Sequence, residues 1–332
     1  MSDQLPDLLS NSPSDLLLDS PPESPLGSPA GPSMSRRGCL QLLTAAGLGG
    51  LTATLPIPAL AARQPSALQR KVNAYIQQQR RLGRVAGDEQ TSWSVYDFNT
   101  GVKLVSINED VPRQAASMIK PFVAQAYFFR HRESSQRYPF SSEVQGLLTR
   151  MIRDSNNAAT NELIERVGRS RYARRPKEVE QVLRRHAGGI FRHVNIVEYI
   201  PRNGRSYRNK ASARDYSRFL YAVWKDRLPY ADDMKYLLGL PNNDRIQDGT
   251  KYVPDGYRIL DKTGSTAHLC GNMGIVVARD NKGRPHPYTM IGIIEKRRRG
   301  TPYWAWIKDR GNVIREVSDL VYTELKRQYN LA

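Results

Sequence analysis

The sequence predicts an α/β (α+β) domain in which an antiparallel sheet, flanked by the terminal helices, adjoins an all-helical lobe. A helical pattern and a β-hairpin pattern come first, a long block of helical patterns follows, and three strand patterns and a helix close the chain. Because an isolated hairpin is only marginally stable, the strands at both ends of the chain are expected to meet in one sheet. A cleft is then expected where the sheet meets the helical lobe.

The opening elements are predicted from apolar spacing. Leu68, Val72 and Ile76 recur four residues apart, as on one face of a helix. Two alternating segments on either side of an Asn-Thr-Gly turn predict the hairpin. The predicted bounds are Ser66–Arg84 for the helix and Thr91–Asp97 and Lys103–Ile107 for the strands.

The middle and the end of the chain follow the same rules. Helical patterns cover Ser117–His131, Glu143–Arg153, Ala158–Val167, Pro176–Arg185, Ala213–Lys225 and Ala231–Leu238. Strand patterns cover Arg258–Thr263, Met273–Ala278 and Tyr288–Glu295, and a last helix runs from about Val313 to Tyr329. The helical lobe is therefore expected to span about residues 118–250.

Composition excludes several classes of protein. The 332 residues contain two cysteines and five histidines without metal-ligand spacing, so we expect no disulfide scaffold, no metal site and no cofactor. Residues 1–61 hold five acids and two bases, which leaves 48 bases against 27 acids in the rest of the chain. Such an excess of positive charge favours anionic partners. It is also compatible with a solvated surface that only aids solubility.

The N-terminal region predicts the compartment. Residues 1–34 are rich in Ser, Pro and Leu and are expected to be disordered, or to be an extension preceding a true start at Met34. Residues 35–61 combine Arg36-Arg37, a mildly apolar run and a small-residue cleavage pattern ending at Ala61. This order is typical of a twin-arginine export signal rather than a stable membrane anchor. We therefore expect a periplasmic or extracellular monomer that contacts anionic envelope polymers and not nucleic acid.

Three short motifs occur in order in the expected mature chain, residues 62–332. Ser117-Met118-Ile119-Lys120 places a hydroxyl and an amine three residues apart on a helix, where the lysine can serve as base. Ser155-Asn156-Asn157 opens a helix, and Lys262-Thr263-Gly264 lies in a strand. Each motif alone also fits a structural role: a helix cap for the first two and an edge strand for the third.

Taken in this order, the motifs resemble those of the serine β-lactamase and penicillin-binding protein superfamily, and the class A enzymes in particular. The resemblance covers nearly all of residues 66–330 and implies the β-lactamase/transpeptidase-like fold. It implies that Ser117 is the nucleophile and that Lys120 serves as its base or assists one. It further implies roles for five other residues: proton relay for Ser155, amide binding for Asn157, carboxylate binding for Lys262 and Thr263, and an oxyanion-binding N–H for Ser265.

The chain departs from the class A pattern in the loop that should hold the deacylating water. Aligning Ile196–Pro201 on that loop places His193 at the family's glutamate and Val197 at its asparagine. Glu198 is the nearest carboxylate, and we keep His193 and Glu198 as possible deacylating bases. The family's arginine on the strand after Lys-Thr-Gly aligns with Met273, so substrate carboxylate binding is expected to rest on Lys262, Thr263 and Ser265.

Three functions follow from this pattern. The first is a β-lactamase that opens β-lactam amides through a Ser117 acyl-enzyme and deacylates slowly. The second is a D-Ala-D-Ala carboxypeptidase or cell-wall amidase, whose substrate is peptidoglycan. The third is a penicillin-binding or cell-wall-binding protein without turnover.

Overall fold

A computed structural model of the chain describes residues 64–201, 207–298 and 302–332. The disordered extension, the export signal and its cleavage pattern, predicted within residues 1–61, lie outside the described residues. None of the helices described has the length and apolarity that a transmembrane span requires.

Eight α-helices and seven strands are described. The helices are α1 Ala67–Arg81, α2 Lys120–Glu133, α3 Ser142–Ile152, α4 Asn157–Val167, α5 Arg175–Ala187, α6 Ala213–Trp224, α7 Ala231–Leu238 and α8 Tyr303–Tyr329. The strands are β1 Gln90–Asp97, β2 Val102–Ile107, β3 Arg113–Gln114, β4 Lys210–Ala211, β5 Arg258–Ser265, β6 Leu269–Arg279 and β7 Pro285–Glu295. Short 3-10 helices lie at Ala116–Ile119 and Tyr172–Arg174.

The predicted antiparallel sheet is confirmed. Five strands pair in the order β2-β1-β7-β6-β5, so the hairpin at the start of the chain joins the three strands near its end. β5 forms one edge of this sheet and packs against the 3-10 helix that precedes α2. β3 and β4 form a separate two-stranded sheet that the sequence analysis did not predict.

Both faces of the sheet are buried, because alternate residues of the central strands face opposite layers. In β6, Val276 and Ala278 join the core beneath α1 and α8, whereas Ile275 and Val277 join the core shared with the helical lobe. The two terminal helices thus cover one face, as predicted, and α6 packs on the other.

Helix α2 lies at the centre of the helical lobe. Every residue from Lys120 to Arg130 is buried, so this helix has no solvent-facing stripe. A helix buried on all sides is held by its neighbours, and α3, α4, α5 and α7 all pack against it. The residues at its N-terminal end are therefore fixed in position.

The last helix begins about ten residues earlier than predicted. Gly311 and Asn312, just before the predicted start at Val313, are weak helix formers. In the structure the additional turns are held by tertiary contacts. Arg310 and the indole N–H of Trp306 both donate to the buried carboxylate of Glu89.

Candidate active site

Ser117 lies in the 3-10 helix that leads into α2, facing the edge strand β5. Ala116, just before it, has a φ of 47°, in the left-handed region that non-glycine residues rarely adopt. The buried hydroxyl of Tyr207 donates to the carbonyl oxygen of Ala116. The Ser117 side chain is half-buried, and its hydroxyl makes no hydrogen bond with any described residue.

Lys120 lies one turn after Ser117 and is fully buried. Its Nζ donates to the Ser155 hydroxyl at 3.1 Å, to the Asn157 side-chain oxygen at 2.9 Å and to the Ser155 carbonyl oxygen. Burial, together with the positive charge of Lys262, lowers the pKa of Lys120 to about 6. The amine is thus largely neutral at pH 7 and can accept a proton.

The second motif forms the tight connection between α3 and α4. Ser155 has a φ of 53°, again in the left-handed region, and the Asn156 side chain caps α4 by accepting from the N–H of Ala159 at 2.8 Å. This conformation turns both the carbonyl and the hydroxyl of Ser155 toward Lys120. The first two motifs, 38 residues apart in sequence, are therefore joined through one amine.

The third motif lies on β5, against the 3-10 helix. A Cβ added to Gly264 would lie 3.1 Å from the Cβ of Ala116 and 3.3 Å from the backbone nitrogen of Met118. Only glycine allows the strand to approach this closely without displacement. Lys262 is buried, and burial lowers its pKa to about 8. Both lysines of the site thus titrate far below the usual range for lysine.

Arg245 is a residue of this site that the sequence analysis missed. Its Nη2 donates to the Ser265 hydroxyl at 2.8 Å, and its Nη1 donates to the Gly271 carbonyl at 2.8 Å. Its backbone N–H is held by the Asn272 side-chain oxygen at 2.8 Å. Arg245 belongs to the segment between α7 and β5, which carries no motif, so nothing in the sequence marked it.

Arg245 places a guanidinium beside the strand where carboxylate binding is expected to rest on Lys262, Thr263 and Ser265. Met273, which aligns with the family's arginine, is fully buried opposite Lys262 in the β5–β6 ladder. The guanidinium instead comes from outside the sheet and reaches the end of β5 at Ser265.

The two candidate deacylating residues make other contacts. Both carboxylate oxygens of Glu198 accept from Arg208, one from its backbone N–H at 2.5 Å and one from its guanidinium at 2.6 Å. The His193 ring lies 3.3 Å from the Ser212 hydroxyl and 3.7 Å from the buried carboxylate of Asp215. Neither side chain is hydrogen-bonded to Ser117 or Lys120.

The loop that carries these residues is fastened by Asn209. Its side-chain oxygen accepts from the N–H groups of Val197 and Glu198, and its amide donates to the Glu198 carbonyl. Its own carbonyl accepts from Ala115 at 2.9 Å, two residues before Ser117. The loop and the nucleophile segment are thereby tied together.

Comparisons with known proteins agree with this architecture. The sequence profile described as "Beta-lactamase enzyme family" matches residues 134–325, more than half of the chain. The search of curated proteins found no match. The profile match begins after Ser117 and Lys120, so those two assignments rest on the motif and on the geometry.

Solved structures of similar fold include PBP-A, at 19% identity and a TM-score of 0.60, covering 80% of this chain and 99% of that one. A class A β-lactamase from Bacteroides cellulosilyticus DSM 14838 is 17% identical with a TM-score of 0.59, covering 80% of this chain and 100% of that one. A β-lactamase from Desulfarculus baarsii DSM 2075 is 16% identical with a TM-score of 0.60, covering 77% and 98%. The TM-scores show the shared fold. The profile match, over more than half of the chain, shows that the chain belongs to the β-lactamase enzyme family.

Proposed function

We propose that the chain is an exported serine hydrolase that opens β-lactam amides through an acyl-enzyme on Ser117. The Ser117 Oγ attacks the amide carbonyl and its proton passes to the neutral amine of Lys120. The backbone N–H groups of Ser117 and Ser265 stabilise the oxyanion. Collapse of the tetrahedral intermediate breaks the carbon–nitrogen bond and leaves an ester on Ser117.

The leaving nitrogen must receive a proton as this bond breaks. Ser155 is suited to deliver it, because its hydroxyl lies 3.1 Å from the Lys120 amine. The proton taken from Ser117 can pass from Lys120 to Ser155 and then to the nitrogen, which returns Lys120 to its neutral form. Asn157, fixed by its bond to Lys120, presents its amide group to the substrate side chain.

The substrate carboxylate is bound at the end of β5. Lys262, Thr263 and Ser265 offer a cation and two hydroxyls, and Arg245 adds a guanidinium held at Ser265. A planar guanidinium can bind a carboxylate through two parallel hydrogen bonds. Arg245 is thus proposed to bind the substrate carboxylate in place of the family's arginine, which aligns with Met273 in this sequence.

Deacylation is proposed to be slow. Hydrolysis of the ester requires a base that activates water beside Ser117. The Glu198 carboxylate is engaged by Arg208, and the His193 ring faces Ser212 and Asp215. Both contacts support an acyl-enzyme that persists.

The observation that carries the proposal is the buried Lys120 amine, one turn from Ser117 and bonded to both Ser155 and Asn157. Intact-mass spectrometry after mixing with benzylpenicillin tests it, with Ser117→Ala as control. We expect an adduct with the mass of the intact drug on the wild-type protein and none on the variant. A Ser117-independent adduct, or none on either protein, would refute acyl transfer to Ser117.

A second candidate is a D-Ala-D-Ala carboxypeptidase or cell-wall amidase, and the same geometry of Glu198 and His193 favours it. A point mutant of PBP-A, a protein of the same fold, is described as an acyl-enzyme complex with penicillin G. An adduct lasting hours, with release of D-Ala from a D-Ala-D-Ala peptide, selects the peptidase. A lasting adduct without peptide cleavage selects a penicillin-binding protein without turnover.

The proposed compartment is the periplasm or the exterior, reached through the signal of residues 35–61. The protein is proposed to act there as a monomer. The net charge of +18 supports contact with anionic envelope polymers. Edman sequencing of exported protein tests the signal, which predicts a mature start near Ala62.

A further inference from the structure

A second cavity, of about 430 Å³, lies behind the segment that leads to Ser117. It opens at the end of the sheet where β7 finishes, next to the β3–β4 pair. Gln114, which lines it, accepts a hydrogen bond from the Thr266 hydroxyl, and Thr266 directly follows Ser265. None of the seven motif residues proposed to act on the substrate lines this cavity.

The walls of this cavity carry an excess of positive charge. Four basic side chains and a histidine stand against one carboxylate: Arg113, Lys210, Lys296, Arg297, His268 and Glu295. A larger cavity, of about 590 Å³ and flanked by α8, provides a comparison, because its three basic and three acidic side chains balance. The excess at the smaller cavity is therefore more than a reflection of the overall charge.

Lys296 has no carboxylate in direct contact within the described part of the chain. Burial lowers the pKa of its ammonium, and the more distant carboxylates of Glu89 and Asp88 offset this effect only in part. Lys296 has a relative exposure of only 6% and forms no ion pair and no side-chain hydrogen bond with any described residue. Its Nζ lies 3.9 Å from the centre of the Trp306 ring, which supports a cation on one side. A buried, unpaired ammonium is costly, so an anion in the cavity would supply a missing partner.

Arg113 is also buried, at 6% exposure, and is only partly engaged. Its Nε donates to the Ser92 hydroxyl at 3.0 Å, and its Nη1 lies 3.5 Å from Glu295. Glu295 is shared, because its other oxygen accepts from the backbone N–H of Gln114 at 3.0 Å. Nη1 is therefore only loosely paired with Glu295, and Nη2 has no hydrogen-bond partner among the described residues. The guanidinium can thus bind an external ligand.

We propose that this cavity binds a phosphoryl group, carried by a phosphate monoester or diester. Its basic groups come from the paired strands β3 and β4 and from the residues that follow β7, so separate parts of the chain contribute to its wall. A tetrahedral phosphate offers three or four oxygens to such a set, whereas a carboxylate offers two. The arginine fork suits two of these oxygens, and the lysines serve as point charges for the others. This binding does not depend on acyl transfer at Ser117.

The test is isothermal titration calorimetry of the purified full chain with inorganic phosphate, at a fixed ionic strength. Lys296→Gln and Lys210→Gln each remove one wall charge. We expect saturable binding at one site, weakened about tenfold or more in either variant, as loss of a charged hydrogen bond implies. Lys210 is exposed, so its variant keeps the test valid even if Lys296→Gln fails to fold.

Lys282→Gln is the matched control, because it makes the same change of net charge at the β6–β7 turn. This turn lies at the other end of the strand pair, ten residues away, or about 33 Å. That distance exceeds the screening length of about 10 Å at 0.1 M salt. The affinity of this variant for phosphate should match wild type within about twofold, the scatter expected of a remote site.

Three results would overturn the proposal: no saturable phosphate binding, equal weakening in Lys282→Gln, or acetate binding as tightly as phosphate. Glycerol 3-phosphate and a glycerol phosphodiester then separate the two sources of the group. Tighter binding of the diester indicates a phosphodiester polymer, and tighter binding of the monoester indicates a small metabolite. Either result supports the phosphoryl site. Because binding is measured directly, its failure is distinct from failure of Ser117 acylation.

Discussion

Replacing Lys120 by methionine should abolish acylation. It should also favour the stability of the variant, compared with that of the wild type, more at low pH than at high pH. Methionine has a similar length and no charge, so it keeps most of the packing in α2. Burial lowers the pKa of Lys120 from 10.5 to about 6. The folded state then binds fewer protons than the unfolded state between these pH values, and wild-type stability rises with pH over that range.

The size of the effect follows from the shift. A lysine whose pKa falls from 10.5 to about 6 costs about 6 kcal/mol of folding free energy at pH 6 and about 2 kcal/mol at pH 9. The methionine variant avoids this cost but leaves Ser155 and Asn157 acceptors without a donor, a loss of about 1–3 kcal/mol each that does not depend on pH. The free energy of unfolding of the variant minus that of the wild type should therefore fall by about 4 kcal/mol from pH 6 to pH 9.

Urea unfolding of both proteins at several pH values measures this difference, and intact mass with benzylpenicillin measures acylation. Lys282→Met, at the exposed β6–β7 turn, is the control and should show no such trend. A stability difference that is constant from pH 6 to pH 9 would refute a neutral buried Lys120. Undiminished acylation by Lys120→Met would refute its role as the base.

The remaining predictions concern the cleft. The acylation rate should be bell-shaped in pH, rising near pH 6 as Lys120 becomes neutral and falling near pH 8 as Lys262 loses its charge. Arg245→Lys should lower kcat/KM for carboxylate-bearing substrates about tenfold, with little effect on their methyl esters, because the planar fork is lost. Gly264→Ala should slow acylation about tenfold, since its methyl group would meet the 3-10 helix at 3.1 Å and displace β5. Glu198→Gln should change the lifetime of the adduct less than about twofold, because Arg208 already holds the carboxylate.

Each of these predictions has an opposite outcome. A rate independent of pH between 5 and 9 would contradict the titrations assigned to the two lysines. Equal losses for acid and ester substrates would remove Arg245 from carboxylate binding, and unchanged acylation by Gly264→Ala would show that β5 tolerates a side chain there. Rapid hydrolysis that survives His193→Ala but not Glu198→Gln would mean that the loop rearranges to supply a base.

Much of this fold could be predicted because local pattern and tertiary position agree. The apolar face of α1 and the alternation in β1 point to the layers that they contact in the structure. The three motifs could also be placed, since their order along the chain carried information that no single motif did. The start of α8 could not be predicted, because its first turns depend on the pairing of Arg310 with Glu89, 221 residues away in sequence.

The site was only partly predictable for a related reason. Lys120 belongs to the first motif and Ser155 and Asn157 to the second, so all three could be predicted. Arg245 belongs to a segment that carries no motif. Its place is set by Asn272, Gly271 and Ser265, which become its neighbours only after β5 and β6 have paired. A contact that depends on long-range pairing leaves no signature in the order of neighbouring residues.

Two left-handed residues of the candidate active site, Ala116 and Ser155, limit which substitutions can raise stability without slowing the proposed reaction. Each conformation costs about 1 kcal/mol or more in a residue with a side chain, and glycine would relieve much of that cost. Selection for heat resistance alone would therefore favour glycine at position 116, where a freer backbone would loosen the turn that presents Ser117. Selection for thermostability is therefore expected to favour glycine at position 116, and selection for faster acylation is expected to retain alanine there.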